Sequence, residues 1–199
     1  MDIYLIRHTP IQIENDICYG QSDVGLEDQI VQAEMPALPE DTVIISSPLQ
    51  RCLELANNLS HSPIIDKRIM ELNFGDWEMQ KWDDINQESL QEWMNDYINI
   101  APPGGESLQA LSERCQDFWN DLITKETSQA VVVITHLGVI RALLAQVLEI
   151  PLEKSLCIQV DYGAINKLTY HTSDKTNEAW VTIEYLNQSS QNWGLINIT

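Results

Sequence analysis

The chain has 199 residues, of which 44% are hydrophobic, and a formal net charge of -19 at pH 7. Such a length suffices for one sizeable core, so we expect residues 1–199 to form a single domain. The acidic balance disfavours nucleic acid and anionic membranes as partners, because both repel a negatively charged surface. With no long apolar stretch and no basic, leader-like N-terminus, the expected location is cytoplasmic.

Three short apolar runs, rich in β-branched residues, predict the central strands of a sheet. Each run is nearly continuous rather than alternating, as expected for strands that are buried on both faces. Helical segments separate each run from the next, which indicates parallel pairing through helical crossovers. The runs are residues 3–6, 42–45 and 131–134.

The segments between and after these runs predict three helices. Ser47 as the N-cap and Pro48 as the first helical residue begin a helix that continues to about residue 59. A second helix covers about residues 107–123, because its apolar residues repeat at spacings of 3 and 4. Glu106 precedes it and suits the positive end of the helix dipole. A third helix runs from about residue 137 to residue 148 and ends before Pro151.

Two later segments, residues 165–171 and 180–186, alternate apolar and polar residues and predict antiparallel strands. The expected fold class is therefore α/β: a three-layer α/β/α sandwich with a mostly parallel central sheet and an antiparallel C-terminal hairpin. A disulfide scaffold would be smaller and denser in cysteine, so we expect the scattered cysteines to be free thiols, mostly in the core. They are Cys18, Cys52, Cys115 and Cys157.

Arginine and histidine side chains follow the three predicted central strands. Arg7 and His8 end the first strand, Arg51 follows the second, and His136 follows the third. The carboxyl ends of parallel strands form the crevice where such sheets bind ligands, so these four side chains are expected to converge. The chain has only 11 lysines and arginines, and placing two beside two histidines favours a pocket for a doubly charged anion such as a phosphoryl group.

The alternatives to a functional role are a solvated arginine and a structural histidine, and both are common when either residue occurs alone. A metal site is disfavoured, because the histidines lack ligand spacing and the flanking arginines would repel a cation. We therefore expect neither a metal nor a cofactor. The remaining histidines, His61 and His171, lie away from these strand ends and are expected to be non-catalytic.

Four motifs, in order along the chain, resemble the histidine phosphatase superfamily in its phosphoglycerate-mutase-like branch. They are LIRHTP, SSPLQRCLELA, ELNFGDWE and THLGVIRALL, and together they span roughly residues 3 to 145. The resemblance implies a phosphoglycerate-mutase-like fold and a phosphomonoesterase that acts on a small molecule. Within the family, RHTP followed by CYGQSDVGL is most similar to the branch that dephosphorylates α-ribazole 5'-phosphate in cobalamin nucleotide-loop assembly. The chain lacks the larger insertions of phosphoglycerate mutases, which favours hydrolysis.

The resemblance also implies a role for each matching residue. His8 corresponds to the nucleophile that becomes phosphohistidine, and Glu71 to the proton donor. Arg7, Arg51 and His136 correspond to the rest of the phosphate pocket. The loop with Tyr19, Gly20 and Gln21 corresponds to one that lines the substrate side. The chemistry agrees, because a nucleophilic histidine must be neutral and neighbouring arginines favour its neutral form.

Several points stay open at this stage. Glu78 and Glu106 compete with Glu71 as the proton donor. Met79 stands where the family pattern has a glycine, which puts the local turn in doubt. Broad-specificity and sugar-phosphate phosphatases are alternatives, as is a catalytically weak protein that binds a phosphorylated metabolite. A homodimer is compatible with the sequence.

The segment of residues 76–103 is rich in aromatic residues and could form a lid over the pocket. Trp82 and Trp93 are candidates for stacking on a planar, benzimidazole-like base. In the alternative interpretation, Trp93 and Tyr97, four residues apart, form a helix face that packs on the sheet. Trp77 is expected in the core.

Overall fold

The computed structural model describes residues 1–14, 16–25, 38–173, 176 and 178–189. Within these residues, six strands form one sheet in the order β3-β2-β4-β1-β5-β6. The strands are β1 (Asp2–Arg7), β2 (Val43–Ser46), β3 (Ile64–Ile65), β4 (Ala130–Thr135), β5 (Ile165–Ser173) and β6 (Glu178–Gln188). The α-helices are α1 (Gln50–Leu59), α2 (Gln87–Asn95), α3 (Leu108–Lys125) and α4 (Leu137–Val147).

Strand β1 lies where the strand direction of the sheet changes. It pairs in parallel with β4, with Ile6 opposite Ile134, and antiparallel with β5, with Ile6 opposite Ile165. Strand β2 pairs in parallel with both β4 and β3. The carboxyl ends of β1, β2 and β4 therefore meet at one edge of the sheet, as the sequence predicts.

The helices cover both faces of the sheet, which confirms the predicted α/β/α sandwich. Successive residues of a strand point to opposite faces, so β1 contributes to two separate cores. Ile3 and Leu5 pack with α3 and α4, whereas Tyr4 and Ile6 pack with α1. Burial on both faces explains why the central strands have nearly continuous apolar sequences.

The helix boundaries follow the capping residues in one case and depart from them in another. Helix α3 begins after Ser107, whose hydroxyl accepts a hydrogen bond from the Ala110 amide at 3.2 Å. Helix α1 begins at Gln50, with Leu49 at the N-cap position, so the expected cap at Ser47 is wrong. The Asp23 carboxylate instead accepts from the Gln50 amide at 2.7 Å. The hydroxyl of Ser47 contacts His136, as described below.

Strands β5 and β6 form the predicted antiparallel hairpin; β5 extends two residues further at its C-terminal end, and β6 two residues further at each end. Strand β3 was not predicted, and helix α2 was anticipated only by the alternative interpretation that places Trp93 on a helix. Helix α2 has a polar sequence, and the Asn86 side chain caps it by accepting from the Ser89 amide at 2.9 Å. Strand β3 has only two residues, both exposed at the sheet edge. All four cysteines are free thiols; three are buried and Cys157 is exposed.

In the part of the chain that the structure describes, no helix combines the length and the apolar character that crossing a bilayer would require.

Candidate active site

His8 lies directly after β1 and is almost completely buried, with 2% of its surface exposed. Its backbone amide continues the sheet by donating to the Thr135 carbonyl at 3.0 Å. The ring atom Nδ1 lies 2.8 Å from the carbonyl oxygen of Thr9, which can only accept a hydrogen bond. Nδ1 therefore carries the proton, and Nε2 of the neutral ring keeps its lone pair.

Arg51 projects from the first turn of α1 and is fully buried. Its guanidinium donates to the Gly20 carbonyl, to the Ser22 carbonyl at 2.8 Å, and through Nε to Nδ1 of His136 at 3.3 Å. Among the residues described, no carboxylate forms an ion pair with it. Backbone dipoles thus satisfy this buried cation without cancelling its charge.

His136 follows β4 and is also fully buried. Its ring lies edge-on to that of His8, with the ring centroids 5.2 Å apart. Because Nδ1 accepts from Arg51, Nε2 carries the proton and donates to the Ser47 hydroxyl at 2.8 Å. The strand ends therefore bring Arg7, His8, Arg51 and His136 together, as predicted.

Burial and positive charge keep both histidines neutral. Loss of solvation, followed by repulsion from Arg51, lowers the pKa of His8 to about 3, although the bond to Thr9 opposes this shift. Loss of solvation and the neighbouring His8 hold the pKa of His136 well below its ordinary value. A neutral imidazole is the form that can act as a nucleophile.

The three candidate carboxylates have different surroundings. Glu71 lines the pocket and, among the described residues, accepts from two backbone amides, Leu72 at 2.8 Å and Gly138 at 3.2 Å. Glu78 accepts from the amides of Gln21, Ser22 and Phe74 and from the Ser22 hydroxyl. Glu78 therefore fastens the loop of residues 20–22 to the loop of residues 74–78.

Glu106 forms a two-pronged ion pair with Arg114, with distances of 2.7 and 3.0 Å. It also accepts from the Asn73 amide at 3.0 Å. Glu106 therefore serves as a fixed partner of Arg114, from a position just before the N-terminus of α3.

The predicted substrate-side loop divides between the pocket and the protein interior. Tyr19 lines the pocket, and its hydroxyl lies 2.7 Å from that of Tyr162. A Cβ atom at Gly20 would overlap the Leu72 carbonyl oxygen, so only glycine fits there. The Gln21 side chain turns inward and donates to the Glu71 carbonyl at 3.0 Å. Of the three predicted residues, Tyr19 alone contributes a side chain to the pocket wall.

A pocket of about 850 Å³ opens beside Arg7 and Glu71. Its wall includes an aromatic group: Phe74, Trp82, Trp93 and Tyr97. Trp77 is buried behind this wall, as expected, with its ring 5.8 Å from that of Trp93. Tyr97 lies beyond the end of α2, so the interpretation that it shares a helix face with Trp93 is wrong.

Tyr162 and Arg141 are among the pocket residues that sequence reasoning missed. Tyr162 precedes β5, and its ring centroid lies 3.7 Å from the guanidinium carbon of Arg7 and 5.5 Å from the centroid of the His8 ring. An antiparallel β5 brings its start to the end of β1, which is a signal that could have located this residue. Arg141 lies one helical turn after Leu137, which also lines the pocket, and that spacing could have revealed it.

Met79 takes the left-handed conformation that its glycine counterpart would adopt, with a φ of 65°. Its amide donates to the Cys18 carbonyl at 2.7 Å, so the turn in doubt is kept despite the substitution. In the described segments, no group of three or more His, Cys, Asp or Glu side chains is arranged to hold a metal ion.

Comparisons with known proteins agree with this geometry. The adenosylcobalamin/alpha-ribazole phosphatase of Escherichia coli (strain K12) is 30% identical over 205 residues, covering 94% of this chain and 96% of that protein. The glucosyl-3-phosphoglycerate phosphatase of Mycolicibacterium vanbaalenii is 31% identical over 156 residues, covering 71% of this chain and 67% of that protein.

Solved structures extend the likeness to the fold. The crystal structure of the alpha-ribazole phosphatase from Shigella flexneri superimposes with a TM-score of 0.83 at 28% identity, covering 94% of this chain and 96% of that one. The model of the histidine phosphatase superfamily (branch 1) matches residues 3–183. The chain therefore belongs to the histidine phosphatase superfamily and is a hydrolase that acts on phosphate monoesters.

Proposed function

We propose that the protein hydrolyses its substrate through a phosphohistidine on His8 and that this substrate is α-ribazole 5'-phosphate. The observation that carries the mechanism is the bond from His8 Nδ1 to the Thr9 carbonyl, at 2.8 Å, which leaves Nε2 as the nucleophilic nitrogen. The low pKa of His8 keeps that nitrogen unprotonated at neutral pH.

In the first step, Nε2 of His8 attacks phosphorus and the phosphorus–oxygen ester bond breaks, with its electron pair leaving on the alcohol oxygen. Arg7, Arg51 and His136 stabilise the charge on the other phosphoryl oxygens. Arg7 Nε is buried and has no hydrogen-bond partner among the described residues, so it is a donor that the phosphoryl group could use.

We assign the proton transfers to Glu71. Its acid form gives a proton to the departing oxygen, and its carboxylate then takes one from the water that breaks the phosphorus–nitrogen bond. Glu78 and Glu106 are poorer candidates, because each is held by several donors in the protein. Glu71 lines the pocket and accepts two amide bonds within the described part of the chain.

The pocket wall supports a large, planar leaving group. A pocket of about 850 Å³ is far larger than a phosphoryl group needs, and its aromatic side chains suit stacking on a base. We propose that residues 76–103, which supply Trp82 and Trp93 to that wall, cover the leaving group. The α-ribazole phosphatases among the relatives agree with this assignment.

A sugar-phosphate or broad-specificity phosphatase is the second candidate. One relative is named glucosyl-3-phosphoglycerate phosphatase and matches 71% of this chain. A protein that merely bound a phosphorylated metabolite would need neither a neutral nucleophile nor an adjacent acid, so we favour catalysis.

The test is phosphate release in metal-free buffer from α-ribazole 5'-phosphate, p-nitrophenyl phosphate, 3-phosphoglycerate and sugar phosphates. His8→Ala is the control. A strong preference for α-ribazole 5'-phosphate that disappears in the variant supports the whole proposal. Weak, unselective hydrolysis that disappears in the variant would support the mechanism but contradict the assignment of α-ribazole 5'-phosphate as the substrate. Activity that survives in His8→Ala would overturn the mechanism.

The aromatic wall has its own test. Trp82→Ala and Trp93→Ala should each raise the KM for α-ribazole 5'-phosphate and leave that for a small alkyl phosphate almost unchanged. An unchanged KM for both substrates would show that these rings do not stack on the base.

A further inference from the structure

Arg141 is a third arginine of the pocket, and the mechanism does not use it. Its Nε donates to the Ile158 carbonyl at 2.8 Å, and Nη2 lies 3.5 Å from the Leu156 carbonyl. These bonds hold the guanidinium in place and leave Nη1 without a protein partner among the described residues. Aspartate and glutamate outnumber lysine and arginine 30 to 11 in the chain, yet no described carboxylate pairs with Arg141.

The position of Arg141 relates it to the leaving group. It lies one turn along α4 from Gly138, whose amide donates to Glu71 at 3.2 Å. Burial, followed by repulsion from Arg7, lowers the pKa of Arg141, and Glu71 acts in the opposite direction. Arg7, Glu71 and Arg141 line the same pocket. A leaving group that fills this pocket therefore meets the Arg141 side chain as well as the phosphate-binding arginine and the proposed acid.

We propose that Arg141 is a specificity-determining residue that donates a hydrogen bond through Nη1 to an oxygen on the leaving group, close to the ester. That oxygen belongs to a sugar hydroxyl or to a carboxylate, since both accept from a guanidinium. The proposal rests on the phosphatase function assigned to the same pocket. It predicts that the enzyme prefers esters of oxygen-rich alcohols to simple aryl or alkyl esters.

The competing explanation is that Arg141 only fastens the segment of residues 156–158, through its two carbonyl bonds. If that were its role, replacing Arg141 would affect every substrate equally, because the pocket wall or Tyr162 would shift. A residue that binds the leaving group affects only substrates that carry the matching oxygen.

The experiment compares wild type, Arg141→Met and Arg141→Lys on three substrates. Phenyl phosphate has no oxygen beyond the ester, ribose 5-phosphate offers hydroxyls, and 3-phosphoglycerate offers a carboxylate. A compound that is not turned over is measured by its inhibition constant against phenyl phosphate. Wild type and His8→Ala on phenyl phosphate establish separately whether the phosphohistidine mechanism holds.

In Arg141→Met, we expect the KM or inhibition constant to rise about 10-fold to 100-fold for the oxygen-bearing compounds, the range for a hydrogen bond from a charged donor. The value for phenyl phosphate should change less than about 2-fold, and kcat should change little. Arg141→Lys should recover part of the loss. If affinity falls for only one of the two oxygen-bearing compounds, that compound shows whether the oxygen that accepts from Arg141 belongs to a hydroxyl or to a carboxylate. An equal loss on all three substrates, or no loss on any, overturns the proposal.

Discussion

The guanidinium carbon of Arg7 lies 3.7 Å from the centre of the Tyr162 ring, so a residue that precedes β5 holds the arginine that ends β1. The Tyr162 hydroxyl lies 2.7 Å from that of Tyr19, which comes from a third part of the chain. The orientation of Arg7 therefore depends on an aromatic contact, in addition to its bond to the Val160 carbonyl at 2.7 Å.

Replacing the Tyr162 ring should weaken the phosphate-binding arginine. A cation–π contact contributes about 0.5 to 2 kcal/mol, so Tyr162→Leu should lower kcat/KM by roughly 2-fold to 30-fold. Tyr162→Phe keeps the ring and loses only the bond to Tyr19, and it should retain most of the activity. Steady-state kinetics on p-nitrophenyl phosphate measures both, and equal losses would assign the effect to the hydroxyl.

Glu71→Gln should reduce activity by an amount that depends on the leaving group. Loss of a general acid costs roughly 100-fold to 10,000-fold on alkyl phosphates, because an alkoxide needs a proton to depart. The loss in the phosphoryl-transfer step should be smaller for p-nitrophenyl phosphate, whose leaving group is stable as an anion. Pre-steady-state kinetics on the two classes checks this.

Glu78→Gln is the matched comparison for Glu71→Gln. It should lower stability, by about 1 to 3 kcal/mol, because partly buried amides lose a charged acceptor. Its kinetic effect should be similar for every substrate. If the leaving-group dependence appears in Glu78→Gln instead, the acid has been assigned to the wrong residue.

Gly138→Ala should impair catalysis without unfolding the protein. A Cβ atom at this position would overlap Oε1 of Glu71, and misplacing a catalytic group by about 1 Å can cost roughly 100-fold in rate. Alanine also gains about 1 kcal/mol of helix propensity, which offsets part of the overlap in stability. Gly25→Ala, where a Cβ would meet no atom of the described residues within 4 Å, is the control and should change neither rate nor Tm. A fully active Gly138→Ala would show that Glu71 need not stay where it lies.

Met79→Gly should stabilise the protein. A left-handed conformation costs a residue with a Cβ atom about 1 to 2 kcal/mol, and glycine avoids this cost. Glycine also makes the unfolded chain more flexible, which offsets part of the stabilisation. The Met79 side chain is 53% exposed, so its removal loses little packing. We expect a net gain of about 0.5 to 1 kcal/mol in urea unfolding. Met79→Ala keeps the Cβ atom and should show no gain.

Stability should fall as the pH decreases below about 6.5, the ordinary pKa of histidine. The folded protein keeps His8 neutral down to about pH 3 and also depresses the pKa of His136. In that pH window the unfolded chain binds up to about one more proton per histidine than the folded protein does, so acid favours unfolding. The contribution of the two histidines to stability is complete only above about pH 6.5. Urea unfolding between about pH 7 and pH 5, above the range where carboxylates titrate, measures the slope.

The control for this pH dependence is His8→Gln. It removes one of the two depressed groups, so its stability should depend less steeply on pH than that of wild type. Parallel slopes would mean that His8 does not resist protonation in the folded state.

The predicted fold and site depended on features that are local in sequence. Continuous apolar runs reveal strands that are buried on both faces, and the end of each run located Arg7, His8 and His136. Helix α3 begins where its apolar spacing predicts, and the Ser107 hydroxyl caps it through the Ala110 amide, three residues away. The Ser47 hydroxyl is bonded to His136, which is 89 residues away, and no local pattern records that contact.

Tyr162 and Arg141 could not be found from local pattern alone, for a related reason. Tyr162 reaches the site only because β5 pairs antiparallel with β1. The sequence of β5 does not indicate which strand it pairs with. Arg141 lies on a helix whose apolar pattern is that of any core helix, so its pocket-facing side is visible only in three dimensions. Strand β3, with two exposed residues, is too short for any periodicity to show.

The partners of Arg51 have a consequence for how this acidic protein attracts an anion. The carbonyl groups of Gly20 and Ser22 hold the guanidinium, and a carbonyl group carries a dipole but no net charge. At a distance, the chain repels a dianion through its formal charge of -19. At contact, the dianion meets uncancelled positive charge on a buried guanidinium, where opposite charges attract strongly. Attraction that acts only at short range selects ligands by fit.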